Sequence, residues 1–138
     1  ISNLAGLLVF GGLALWSLKA RRYTGWHRRL MLVAMSVLTG PGLGRLLPMP
    51  LFMPYSWWIG SIMVPMLFPI IGMIADKLRY DRVHPAWFWG VGTIVAVQIA
   101  SDLVAYSEWG VAFTRDFLAG TPGAERPMEA FIPPGFAM

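Results

Sequence analysis

The stretch Lys19-Ala20-Arg21-Arg22-Tyr23-Thr24-Gly25-Trp26-His27-Arg28-Arg29 decides how this chain is read. It holds five of the eleven Lys and Arg residues and no acid, and apolar runs leave it in both directions. A short basic turn between two greasy stretches is the pattern of a cytoplasmic hairpin joining two membrane-spanning helices. A second basic stretch, residues 76–82, lies between two further apolar runs.

Composition points the same way. Of the 138 residues 57% are hydrophobic and 13% charged, with mean hydropathy +0.59. Soluble domains carry about 25% charge, so the deficit implicates lipid as the solvent. The length allows about four helices of about 20 residues each. The net charge of +4 sits in two short blocks beside apolar runs, which is not the footprint of a nucleic-acid binder. The absence of cysteine excludes disulfides, thiolate metal sites and cysteine nucleophiles. Gly-x-Ser-x-Gly, Walker and His-Glu-x-x-His motifs are absent, so hydrolase, NTPase and zinc-protease chemistry has no support. The chain opens at Ile1, directly in an apolar run, with no basic n-region before it. The expectation is that further sequence, and further helices, precede it.

Four spans are expected, over residues 3–18, 30–47, 55–75 and 85–106. Gly6, Gly11, Gly12 and Ala14 give the first a small-residue face suited to close helix contact. Pro41, flanked by Gly40 and Gly42, predicts a kink or an unwound piece in the second. Pro48, Pro50 and Pro54 mark the outer loop. Tyr55, Trp57 and Trp58 form an outer aromatic belt, and Pro65 and Pro69 bend the third span. Pro85 opens the fourth, with Trp87 and Trp89 as inner anchors. Residues 108–118 predict an interfacial amphipathic helix, with Trp109, Phe113 and Phe117 spaced at four. A tail rich in Pro and Gly follows over 120–138, extended on the outer surface.

Orientation follows from the basic residues. Lys19, Arg21, Arg22, Arg28, Arg29, Lys77, Arg79 and Arg82 fall in the two loops assigned inside, 19–29 and 76–84; Arg115 and Arg126 fall outside. Eight against two places those loops in the cytoplasm and the C-terminus in the periplasm.

Arg45 and Asp102 are charges inside apolar segments, where each costs at least about 2.5–3.5 kcal/mol. Arg45 lies 15 residues after Leu30 and Asp102 15 after Trp87. Both are thus about 22 Å from the inner surface. One reading is a buried salt bridge locking helices two and four; the other is a proton, ion or ligand site beside the Gly-Pro break. Gln98, Asp102 and Tyr106 repeat at four and extend that site as a polar stripe. His27 and His84, the two histidines, each stand at the inner start of a span. They offer axial ligands for haem, or for a chlorophyll-type pigment, against the plainer reading of interfacial histidines bonded to a helix end or to lipid phosphate. Met49, Met53, Met63 and Met66 resemble a sparse copper(I) motif, but methionine is also common apolar filler.

Two strings carry a resemblance: His27-Arg28-Arg29-Leu30-Met31-Leu32, with Gly40-Pro41 and Arg45-Leu46-Leu47-Pro48 behind it, and Arg82-Val83-His84-Pro85-Ala86 followed by Trp89-Gly90. Over about residues 1–107 the chain resembles the C-terminal half of a group of uncharacterised bacterial multi-pass inner-membrane proteins of roughly seven helices. The resemblance implies a membrane location and no particular activity.

The expected fold is therefore an all-α integral membrane bundle of four transmembrane helices, with helices two and three kinked by Pro and Gly. The helical domain covers 1–119 and the outer tail 120–138. The expected role is a non-catalytic subunit, packed in the lipid bilayer against other membrane subunits or pigments. The competing role is a haem-binding redox protein or a small-molecule or ion transporter.

Overall fold

The structure, a computed structural model, describes residues 2–46, 55 and 58–123. All regular structure among these residues is helical. Helix α1 (Ser2–Lys19) passes through one 3-10 turn (Ala20–Arg22) into α2 (Thr24–Leu46). A π turn (Ile59–Met63) leads into α3 (Val64–Tyr80), and α4 (Pro85–Ala105) and α5 (Glu108–Leu118) follow. Two segments, Leu4–Arg22 and Pro85–Ala105, are long and apolar enough to cross a membrane.

The helix boundaries correct the expected loops. Residues 19–29 are not all loop: the chain turns within Ala20–Arg22 and Tyr23, and α2 is already formed at Thr24. Nor does α3 stop at its first charge. It runs on through Asp76, Lys77 and Arg79 to Tyr80, because no Gly or Pro intervenes to end it. Asp81 then closes it in the left-handed region at φ 55°. Its N–H donates to the Lys77 carbonyl at 3.0 Å, and its carboxylate accepts from Lys77 Nζ at 2.8 Å.

Pro41 and Pro69 lie inside α2 and α3, and Pro65 stands in the first turn of α3. Helix α2 continues through Pro41 to Leu46 with no unwound piece. In the third segment the disturbance takes the form of the π turn. The Val64 N–H bonds to the Ile59 carbonyl, five residues back, just before Pro65. The helix thereby carries its ladder past a residue that cannot donate.

Two compact units divide the chain, Ile1–Ser101 and Asp102–Met138. In the first, α2 is central. It packs along α1 and along α3, and α4 closes on it where Gly90 lies against the Val33 side chain. Leu13 of α1, Leu30, Val33 and Ala34 of α2, Met66 of α3, and Ala86, Trp87 and Ile94 of α4 are buried together. Burial of each large aliphatic side chain is worth about 1.5–3 kcal/mol where water is the reference. Trp87 is therefore a core residue at 3% exposure rather than an interfacial anchor. The outward faces are also apolar: Leu7, Leu8 and Leu15 of α1 and Ile70, Ile71 and Ile74 of α3 are all exposed.

In the second unit α5 begins where expected. Ser107 caps it, its Oγ accepting the Gly110 N–H at 3.0 Å. Trp109, Phe113 and Phe117 stack along one exposed side, with ring centroids 5.5 and 6.3 Å apart. The outer-loop residues 47–54, Trp57 and the tail from 124 onward lie outside the described residues.

Candidate functional site: the basic corner of the bundle

The start of α2, the end of α3 and the start of α4 meet at one end of the first unit. Helix α2 leaves this corner with Gly25, Arg28 and Arg29, and α3 enters it with Asp76 and Arg79. Asp76 is the hub. Arg29 grips its carboxylate with two parallel bonds, Nε to Oδ2 and Nη2 to Oδ1, both 2.6 Å. The Trp87 indole donates to Oδ2 at 2.8 Å, and the His84 N–H approaches the same oxygen at 3.4 Å. The third arm of the guanidinium, Nη1, bonds the Gly25 carbonyl at 2.9 Å. One carboxylate thus ties three helices. The side chains of Arg29 and Asp76 are 17% and 10% exposed, so the pair lies in reduced dielectric. There, bidentate geometry is what offsets desolvation.

Titration follows the geometry. The hydrogen bonds from Arg29 hold the Asp76 carboxyl well below its usual range, at about 2, against the opposing effect of burial. The bond to Asp76 likewise raises Arg29 above its ordinary value. Burial pushes His84 down, helped by the charges of Arg29 and Arg82, so its ring is neutral at pH 7. A neutral ring is what its position requires. Nδ1 accepts the Ala86 N–H at 3.1 Å and so caps the first turn of α4, with Pro85 behind it. The remaining nitrogen, Nε2, faces Gly25, where an added Cβ would stand 3.1 Å away. Gly72 is needed on the other side, because any side chain there would clash with the Trp87 ring.

His27 is tied to α1 instead. Buried Ser17 donates its hydroxyl to the His27 carbonyl at 2.8 Å. The imidazole Nδ1 is 2.9 Å from the Ser17 carbonyl and 2.8 Å from Ser17 Oγ. One consistent assignment puts the proton on Nδ1, donating to both oxygens. Around these bonds stands an aromatic cluster. Trp16 lies 6.1 Å from Trp26 and 6.3 Å from Trp89, and Trp26 meets His84 edge-on at 5.5 Å. Edge-to-face contacts of this kind add about 0.5–1.5 kcal/mol beyond the area they bury.

The His27 ring bonds to Ser17 of α1, and the His84 ring stands against Gly25 and Trp26 of α2. Among the described residues no group of three or more His, Asp or Glu could hold a metal ion. Of the methionines in the suggested copper motif, Met49 and Met53 lie outside the described residues, Met63 faces outward and Met66 is in the core. Gln98 and Asp102 are half-buried on α4. Tyr106, just past its end, is exposed, with its N–H on the Asp102 carbonyl at 2.9 Å. The Arg45 backbone belongs to α2, but the pairing expected with Asp102 falls on a side chain outside the described residues.

Sequence reasoning singled out neither Arg29 with Asp76 nor Trp87 as a unit. The signal was present: Asp76 stands near the end of α3 and Trp87 at the start of α4, as Arg29 does near the start of α2. No family model matches the chain, and neither does any curated protein or solved structure.

Proposed function

We propose that the chain is an integral protein of the bacterial inner membrane, a bundle of four transmembrane helices acting as a non-catalytic subunit of a larger membrane complex. On this reading it belongs with the multi-pass group it resembles. The basic corner faces the cytoplasm, and the 55–58 region and the C-terminus face the periplasm. The observation that carries the reading is the apolar outer surface of α1 and α3 directly beneath a corner ringed with arginine. Soluble monomers rarely expose contiguous apolar patches beyond a few hundred Å², whereas lipid or a neighbouring helix covers such a face at no cost.

Two further observations favour a subunit over an enzyme or carrier. A Cβ added at Gly11 or Gly12 would meet nothing within 4 Å, so the small-residue side of α1 remains open to a helix from another chain. The polar groups of the corner also bond to one another. Asp76 is gripped by Arg29 and Trp87, His84 caps α4, and His27 clamps α1.

The test is fractionation followed by mild-detergent purification. The protein should remain in the membrane pellet after an alkaline carbonate wash and should co-purify with further membrane proteins. Release into the wash would defeat the membrane reading. The competing haem reading has its own readout, since a Soret band in the purified protein would revive it.

A further inference from the structure

The corner described above encloses a half-open cleft of about 920 Å³ between α2, α3 and the turn into α4. Its rim carries Arg28, Arg79 and Arg82, all exposed. One carboxylate lines the cleft, that of Asp76, and Arg29 already takes both of its oxygens. The other acid of this corner, Asp81, is turned to Lys77. The rim is therefore a cluster of three cations whose lining supplies no further anion.

Below the rim the lining changes character. On α2 the residue one turn inward from Arg28 is Leu32; on α3 those one and two turns inward from Arg79 are Ala75 and Gly72. At about 1.5 Å per residue the apolar part of the wall reaches about 10 Å below Arg79. A free phosphate would use the rim and leave this wall bare, and it would fill only a small part of the volume. An amphiphile uses both parts.

We propose that this cleft seats an anionic phospholipid, its phosphate among Arg28, Arg79 and Arg82 and its glycerol and first acyl carbons against Leu32, Ala75 and Gly72. The proposal rests on the membrane reading and adds a specific lipid contact to it. Arginine suits the task because its planar fork meets phosphate oxygens in pairs. The lipid would bridge α2 and α3 over the Arg29–Asp76 pair, shielding that pair from water.

A general attraction of basic loops to acidic membranes predicts binding too, and the chain contains its own control. Lys19, Arg21 and Arg22 line a second, shallower groove that runs along α1 and its 3-10 turn, without a neighbouring helix to close it. The experiment uses the full chain in zwitterionic micelles, with thermal unfolding followed by tryptophan fluorescence. Phosphatidylglycerol, phosphatidylcholine and inorganic phosphate are added separately.

Phosphatidylglycerol should raise the melting temperature saturably, and the other two should not. The Arg28→Gln/Arg79→Gln/Arg82→Gln variant should lose the shift, and Lys19→Gln/Arg21→Gln/Arg22→Gln should keep it. Should the triple variant fail to fold, Arg82→Gln alone should bind phosphatidylglycerol about fivefold more weakly by native mass spectrometry. Three results would overturn the proposal: equal shifts from phosphatidylcholine, equal loss in both triple variants, or a full shift from inorganic phosphate, which would mark a free-anion site. A protein that needs no detergent at all would defeat the membrane reading instead.

Discussion

The two basic corners of the bundle look alike in sequence and are built differently. Each joins two helices through a short turn with Lys and Arg residues in it or beside it. At the α1–α2 corner the helices are held by hydrogen bonds between Ser17 and His27, and Lys19, Arg21 and Arg22 face outward. At the α3–α4 corner an ion pair carries the load, with Trp87 and His84 arranged around Asp76. The difference shows that a run of arginines on a helix end says little about which of them is structural. That is decided by whether a carboxylate on another helix reaches the same depth.

Breaking the second corner should have the largest effect. Asp76→Asn or Arg29→Gln leaves a charged partner buried and alone, and should cost about 3 kcal/mol of unfolding free energy in detergent. The double variant should cost less than either single one, because it leaves no charge buried alone. Additive losses would mean that the two residues act separately. Acid should reproduce the effect. Asp76 has a folded pKa of about 2 against 3.8 for the isolated group. Its contribution is therefore complete above about pH 4 and is lost as pH falls through about 2. Asp76→Asn should flatten that part of the melting profile.

Gly72→Ala should come next. Its methyl group displaces the Trp87 ring from its place beside Asp76, for about 1–3 kcal/mol. At the first corner Ser17→Ala should cost only about 1 kcal/mol, the usual value of a neutral hydrogen bond. Arg21→Gln with Arg22→Gln should move stability by less than about 0.5 kcal/mol. A loss from the arginine pair as large as that from Asp76→Asn would erase the distinction between the corners.

Helix positions were legible in the sequence where the signal was local. The aromatic residues at every fourth position, Trp109, Phe113 and Phe117, located α5, and Pro85 located the start of α4. The ends of α2 and α3 were misplaced because an apolar run and a helix are not the same object. Hydropathy drops at Asp76, but residues 76–80 contain no Gly or Pro to end the helix. Likewise Gly25 reads as a loop residue, whereas here it lies in the first turn of α2 and makes room for His84. The ion pair spans 47 residues, beyond any local pattern. Comparison of depths would have found it had that reasoning been applied at the helix ends as well as to Arg45 and Asp102. Trp87 and Trp89 are two residues apart and both aromatic; only the contact with Gly72 and Asp76 makes one a core residue and leaves the other on the surface.

The account depends most on which side of a bilayer each end of the bundle occupies, and the chain suits a direct measurement because it has no cysteine. Single substitutions Arg21→Cys, Arg79→Cys and Tyr55→Cys can be probed in spheroplasts with a membrane-impermeant maleimide. Tyr55→Cys should label in intact spheroplasts, and Arg21→Cys and Arg79→Cys only after the membrane is opened. Labelling of position 21 or 79 from outside would contradict the account.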